Sequence, residues 1–380
     1  MRGLTVYFIE GTRSRGFLRG FDFSLLAAVL LITAFGLVVL SSAVKSLNPA
    51  GYLLKQLSGI GVGLTLALLL SFVDYRYIKN IGFIFYWCTI ALLVIVLFIG
   101  YGSEQWGARS WIDLGFISFQ PSEFAKIGFT LVMADYLAEM AEKGITLERL
   151  GLTAFYALLP MGLILLQPDA GTLMVYAFML AFLIFVAGIR YKYILYGGLA
   201  FMCLSPFLWL FVLGDHQKQR ILSFIFPGSD PSNSTYQVDW AKMAVGSGKL
   251  TGQGLYNGIL TQNNTVPIKE SDFIFSVIGE EMGFIGALLL LALVFFLLLK
   301  CIRIARHASD AYGTFVATAI AAMFGFHYIE NIGMNIGVLP VTGIPMPFVS
   351  YGGTAMISNF MAIGLLLSIS MRQSRQLKSG

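Results

Sequence analysis

Long uninterrupted apolar runs, rather than alternation with a period of two, dominate this chain. A helix needs about 20 mostly apolar residues to cross the hydrocarbon layer of a bilayer. Ten such runs fall near 23–42, 54–73, 80–100, 121–140, 150–167, 171–189, 193–213, 273–300, 311–332 and 354–371. Membrane β-barrels read as short alternating segments, whereas Gly286 to Leu299 is continuously apolar. The pattern predicts an all-α polytopic membrane protein with ten transmembrane helices. The first run reads as a full-length span rather than a cleavable leader. Two polar interruptions exceed ordinary connections. One is a large extracytoplasmic loop, about 214–272, between the seventh and eighth helices; the other, about 333–353, is dense in Gly and Pro and reads as re-entrant. Loops of that length usually carry function. No internal repeat is evident, so the chain is expected to be one domain over 1–380.

Composition agrees. The 380 residues are 57% hydrophobic and only 12% charged, against about 25% charged in soluble domains. An ordinary cytoplasmic enzyme, a disordered chain and a nucleic-acid binder are excluded. The net charge of +5 has a topological explanation. With the N-terminus inside, the inner segments hold sixteen Lys and Arg, from Arg2 to Lys378, while the short outer loops hold Lys45, Lys55 and Arg109. Basic residues stay on the cytoplasmic side, so both termini are expected there. Cys88, Cys203 and Cys301 are too dispersed for a disulfide framework or zinc knuckle, and His216, His307 and His327 lack metal-ligand spacing.

Charged groups within spans usually mark function or internal pairing, and here they gather at the outer helix ends. Glu123 and Lys126 open the fourth run three residues apart, on one helical face. They form either a local ion pair, with Lys126 snorkelling outward, or a cation held to meet an anionic headgroup. Arg109 beside Trp111 is either an interface anchor or a phosphate ligand. Asp169, in Gln167-Pro168-Asp169-Ala170-Gly171-Thr172, reads first as a helix cap. Asp272, at the mouth of the eighth run, is either a cap or a functional acid. Glu280, about 12 Å deeper on nearly the same face, must find a partner or stay protonated; holding helices together is the simpler role. Lys249, in the Gly246 to Gly254 run, offers a flexible cation but no Walker spacing. Asn331 and Asn335 share a helix face, and Ser350 with the Gly352-Gly353 amides could receive an anion.

Several long motifs in one order carry a resemblance: Arg109-Ser110-Trp111-Ile112, Gln120-Pro121-Ser122-Glu123-Phe124-Ala125-Lys126, Gln167 to Thr172, Gln219-Arg220-Ile221, Ser271-Asp272-Phe273-Ile274-Phe275 and Leu339 to Gly353. Over nearly its whole length the chain resembles the SEDS family (shape, elongation, division and sporulation), and within it the RodA type more than the FtsW type. The resemblance implies a glycosyltransferase that polymerises lipid II into glycan strands at the outer face of the bacterial cytoplasmic membrane. It also implies a class B penicillin-binding protein as transpeptidase partner. The family's essential acid falls on Asp272, which becomes the expected catalytic base. Arg109, Lys126, Arg220 and Lys249 are the candidate cations for the departing undecaprenyl pyrophosphate, with Glu123 positioning Lys126 and Ser350 lining the site. No cofactor is required, although a divalent cation, Mg or Mn, would suit the diphosphate; no metal ligand is identified. A lipid II flippase and a non-catalytic anchor for the transpeptidase are the competing readings.

Overall fold

Local sequence sets the helix starts. The computed structural model describes residues 20–102, 108–113, 115, 118–188, 191–207, 210, 214–226 and 234–373. The basic N-terminal residues, Arg190, Arg375 and Lys378 fall outside them. The chain runs through α1 (Phe23–Ala43), α2 (Pro49–Phe72) and α3 (Tyr75–Ile99). A two-residue antiparallel hairpin follows, β1 (Ile112–Asp113) with β2 (Ser118–Phe119). Next come α4 (Pro121–Lys143), α5 (Leu147–Leu166), α6 (Ala170–Val186) and α7 (Tyr191–Phe207). Three shorter helices, α8 (Asp215–Ile225), α9 (Ser234–Ser247) and α10 (Ile259–Gln262), precede α11 (Ile274–Arg306), α12 (Ala311–Asn335) and α13 (Gly353–Gln373). Asp22, Asn48, Asp74, Thr146, Asp169 and Asp310 each precede a helix and accept a backbone N–H of its first turn. Such caps satisfy donors that the helix leaves unpaired.

Among the described residues, α1, α2, α3, α5, α11, α12 and α13 are long and apolar enough to cross a membrane, and α6 is a shorter apolar helix. The protein is a mostly helical, multi-pass membrane protein. α4 is not in that apolar set because it carries Glu123, Lys126 and several acids. Its packing explains the difference. Most of α4 is buried, including both of those charges, so its sequence answers to neighbouring helices rather than to lipid. α12 and α13 are likewise interior, with 72% and 78% of their apolar windows buried against 22% for α2 and α5. α4, α12 and α13 therefore form the centre, and α2 and α5 lie at the periphery with Leu54, Leu57, Leu69, Phe155 and Leu158 exposed, as a lipid-facing helix requires.

α11 is interrupted at Gly283, whose φ of 64° and ψ of −161° leave the helix. An L side chain is disfavoured there. The freed backbone groups pair with the incoming loop: Phe284 N donates to Lys249 O (2.9 Å), Ile285 N to Leu250 O (3.1 Å), Gln253 N to Glu280 O (2.9 Å) and Gly254 N to Glu281 O (3.0 Å). The part of α11 after Gly283 runs about 34 Å at 1.5 Å per residue, enough to span alone. Glu280 lies on the short first segment of α11, between the helix start at Ile274 and the break at Gly283, and is fully buried. Its carboxylate takes Leu260 N (2.7 Å), Thr261 N (2.8 Å) and Thr261 Oγ1 (2.6 Å). Glu281 takes Tyr256 N, Gly258 N and Gln262 Nε2. The two acids hold the long loop rather than two helices. Lys269 completes the attachment, donating to Ser46 Oγ (2.9 Å) and to the Thr261 carbonyl. Glu280→Ala is expected to destabilise the protein by about 3 kcal/mol, because it strands two buried N–H groups, and to expose the 250–262 loop to protease. Thermal unfolding and limited proteolysis in detergent measure both effects.

Candidate active site

The turn that carries Asp272 is clamped by two asparagines one helical turn apart on α12. Asn331 Nδ2 donates to Asp272 O (2.9 Å) and Ile344 O (2.8 Å), and Asn335 Nδ2 donates to Asp272 O (3.1 Å). Asn335 Oδ1 receives Ser276 N from the first turn of α11. The expected shared face of Asn331 and Asn335 thus fixes the start of α11. The Asp272 carboxylate accepts Ser271 Oγ at 2.6 Å, and its other oxygen faces Gly343, where a Cβ would stand 3.3 Å away. The irregular segment 336–352 wraps this carboxylate. It is pinned by Thr342 Oγ1 to the buried Glu330 (2.9 Å) and by Tyr328 Oη to Pro347 O (2.8 Å). On α6, a Cβ at Gly171 would sit 2.6 Å from Thr342 O, so only glycine lets that helix start approach so closely.

Arg220 on α8 reaches the same place, donating to Val341 O (3.3 Å). Its field acts on both Asp272 and Asp169. Asp272 is half-buried. Burial pushes its carboxyl above the ordinary aspartate range; the Ser271 hydrogen bond and Arg220 oppose the shift, while Glu270 and Asp169 add to it. Asp169 is also pushed up by burial, against its bonds from Thr172. Arg220 is pushed down by burial, against the pull of the two acids. The Gln167-Pro168-Asp169 turn is the junction: Gln167 O receives Arg109 N (3.2 Å), Pro168 O receives Gln217 Nε2 (3.0 Å), and Gln167 Nε2 reaches Leu93 O (3.1 Å). One guanidinium thus stands within electrostatic reach of two half-buried carboxyls at the end of the bundle where the irregular backbone gathers.

Comparison with known proteins gives this geometry a lineage. Residues 22–375 match the FtsW/RodA/SpoVE family of cell cycle proteins. The chain belongs to that family. Stage V sporulation protein E of Bacillus subtilis is 37% identical over 93% of this chain and 98% of its own length. Peptidoglycan glycosyltransferase MrdB of Escherichia coli is 32% identical over 94% and 95%. A chain solved in a peptidoglycan synthase complex that coordinates polymerization and crosslinking superposes with a TM-score of 0.80 at 31% identity, covering 93% of this chain and 99% of that one.

The SEDS residues expected from sequence divide into two groups. Asp272 and Arg220 lie within electrostatic reach of each other. Arg109 is exposed and tied by its backbone to the Asp169 turn. Glu123 and Lys126 form the expected ion pair at 2.8 Å, but both are interior, 3% and 1% exposed. Lys126 neither snorkels nor faces outward, and its ammonium also lies 2.9 Å from His327 Nε2. Ser350 does not present its hydroxyl to an anion: it donates to Ser271 O (2.6 Å) and accepts Met346 N (2.9 Å). The Gly352 amide is likewise taken, by Gln56 Oε1 (3.1 Å). Lys249 is exposed, and its backbone serves the break in α11. Sequence reasoning ranked Asp169 as a cap. It is one, accepting Thr172 N at 2.9 Å, and its charge also acts on Arg220; only an argument spanning α6 and α8 reveals that coupling. Among the described residues no cluster of three or more His, Cys, Asp or Glu side chains could hold a metal ion.

Proposed function

We propose that this protein is a peptidoglycan glycosyltransferase that polymerises lipid II, inverting the donor sugar, at the outer face of the bacterial cytoplasmic membrane. The observation that carries this reading is Asp272: a half-buried carboxyl within electrostatic reach of the Arg220 guanidinium in a chain that matches SEDS proteins almost end to end. The acceptor's 4-hydroxyl attacks the anomeric carbon of the α-linked donor. As the β-1,4 bond forms, the bond from that carbon to the diphosphate oxygen breaks. Asp272 takes the hydroxyl proton as general base. Charge building on undecaprenyl pyrophosphate is stabilised by Arg220 and, from the adjoining turn, Arg109. Glu123, Lys126 and Ser350 support the site from behind rather than touching substrate, and Lys249 offers an outer cation to lipid headgroups.

The topology suits such a substrate. The long apolar helices, together with the buried α4 and the shorter α6 and α7, make ten spans of a single membrane domain with both termini cytoplasmic. The segment from α8 to the start of α11 then forms the extracytoplasmic loop between the seventh and eighth spans. Because the part of α11 after Gly283 can span alone, Asp272 stands outside the hydrocarbon, where two polyprenyl-anchored sugars meet. A class B penicillin-binding protein is the partner, supported by the solved synthase complex to which the chain is similar. The RodA-like motifs favour a role in elongation and cell shape.

The deciding experiment is polymerisation of purified lipid II by the protein in detergent, followed on gels with and without the penicillin-binding partner, alongside flipping of labelled lipid II in liposomes. Glycan strands are expected; flipping without strands overturns the reading. A pH profile adds detail. The base must be ionised, and its carboxyl is raised by burial, so the acid limb should lie above the ordinary aspartate value of about 3.9. Arg220→Gln removes a charge that lowers this carboxyl and should move the limb to higher pH. Asp169→Asn removes one that raises it and should move the limb lower, while Asn still caps α6.

A further inference from the structure

In the sequence His327 is one of three histidines that lack metal-ligand spacing. In the structure it is 3% exposed and touches both halves of the site. Its Nε2 lies 2.9 Å from Lys126 Nζ, and its Nδ1 lies 3.0 Å from Pro345 O. An ammonium paired with Glu123 has only protons to offer, so Nε2 must accept. The carbonyl of Pro345 can only accept, so Nδ1 must carry the hydrogen. One tautomer fits, the neutral ring protonated at Nδ1. The ring therefore reads the charge of Lys126 on one side and fixes the 345–350 backbone on the other. That backbone leads to the candidate base: Met346 N donates to Ser350 Oγ, Ser350 Oγ donates to Ser271 O, and Ser271 Oγ donates to Asp272. A cavity of about 10 Å³, room for about one water, opens between Glu123, His327, Ser350 and Asn359. Glu123 Oε2 and Asn359 Oδ1 are buried there with no hydrogen-bond partner among the described residues.

We propose that His327 is a positioning residue, a neutral imidazole that transmits the placement of the buried Glu123–Lys126 pair to the segment holding Asp272. The activity readout rests on the proposed glycosyltransferase function; the exchange readout does not. Glutamine offers one acceptor and one donor about as far apart as the ring nitrogens, whereas Leu and Met offer no such pair. In polymerisation by purified protein, His327→Leu and His327→Met are expected to lower kcat about tenfold with KM within about twofold, and His327→Gln to stay within about threefold of wild type. If Leu does not fold, Met carries the same expectation. Hydrogen exchange should quicken in the 340–352 peptide of the Leu or Met variant, stay at wild-type rates elsewhere, and remain unchanged throughout in His327→Gln. Exchange at wild-type rates in 340–352 of a folded Leu or Met variant, or slowing equally severe in His327→Gln, overturns the proposal. A wild-type protein that forms no glycan overturns the proposed function instead, and the exchange arm still decides the role of His327.

Discussion

Asp272→Asn is expected to lower lipid II polymerisation by at least about 10²-fold while leaving the protein folded. A positioned general base contributes roughly 10² to 10⁴-fold, and the amide keeps the shape of the carboxylate but cannot take a proton. The Ser271 hydroxyl can still donate to the amide oxygen, and the clamp from Asn331 and Asn335 acts on the backbone carbonyl, which is untouched. Stability should not fall. A carboxyl whose folded value is raised favours the fold when protonated, and its ionisation works against folding as pH rises through that value. At neutral pH the substitution removes that penalty. Melting at or above the wild-type temperature together with lost activity is the expected pair of results. Strands formed at wild-type rates would remove Asp272 from the chemistry.

The second large effect belongs to the buried ion pair. Lys126→Met leaves Glu123 charged and 3% exposed with one oxygen already unpartnered. Removing one partner of a buried pair costs roughly 3–5 kcal/mol, whereas replacing both by neutral groups is often nearly neutral. Thermal unfolding in detergent should therefore show a large loss for Lys126→Met and substantial recovery in Glu123→Gln/Lys126→Met. The loss in Glu123→Gln alone should be intermediate, since Lys126 keeps a neutral acceptor and His327. Activity should not recover in the double variant, because His327 has then lost the ammonium it accepts from. Recovery of both stability and activity would make the pair a packing element with no link to the site.

Individual residues mark where sequence reading reached and where it stopped. The Glu123–Lys126 pair was legible because positions three apart share a helix face whatever the tertiary structure. Its depth was not, because an outer-end charge on an apolar run looks the same whether the helix borders lipid or fills the centre. Asn331 and Asn335 were legible as one face for the same reason. Their target, the backbone of Asp272, lies across a gap that no local period describes. Glu280 misled for a specific reason: Asp272 precedes a helix that starts only at Ile274, and the partners of Glu280 are backbone groups of the 260–261 turn, which no helical spacing can reveal. Ser350 and Gly352 looked available as anion donors because sequence cannot show that Ser271 and Gln56 already occupy them.

By itself the sequence determined the membrane class, the approximate positions of the long apolar helices, the Asp169 cap and the motifs of the family, since each depends on hydrophobic length or on contacts within a few residues. Only the tertiary structure decided that Arg220 comes within electrostatic reach of both Asp169 and Asp272, that Lys126 is interior, and that His327 touches both Lys126 and the Pro345 carbonyl. Those facts depend on how α4, α6, α8, α11 and α12 pack, and close packing couples residues far apart in the chain that no periodicity in the sequence connects.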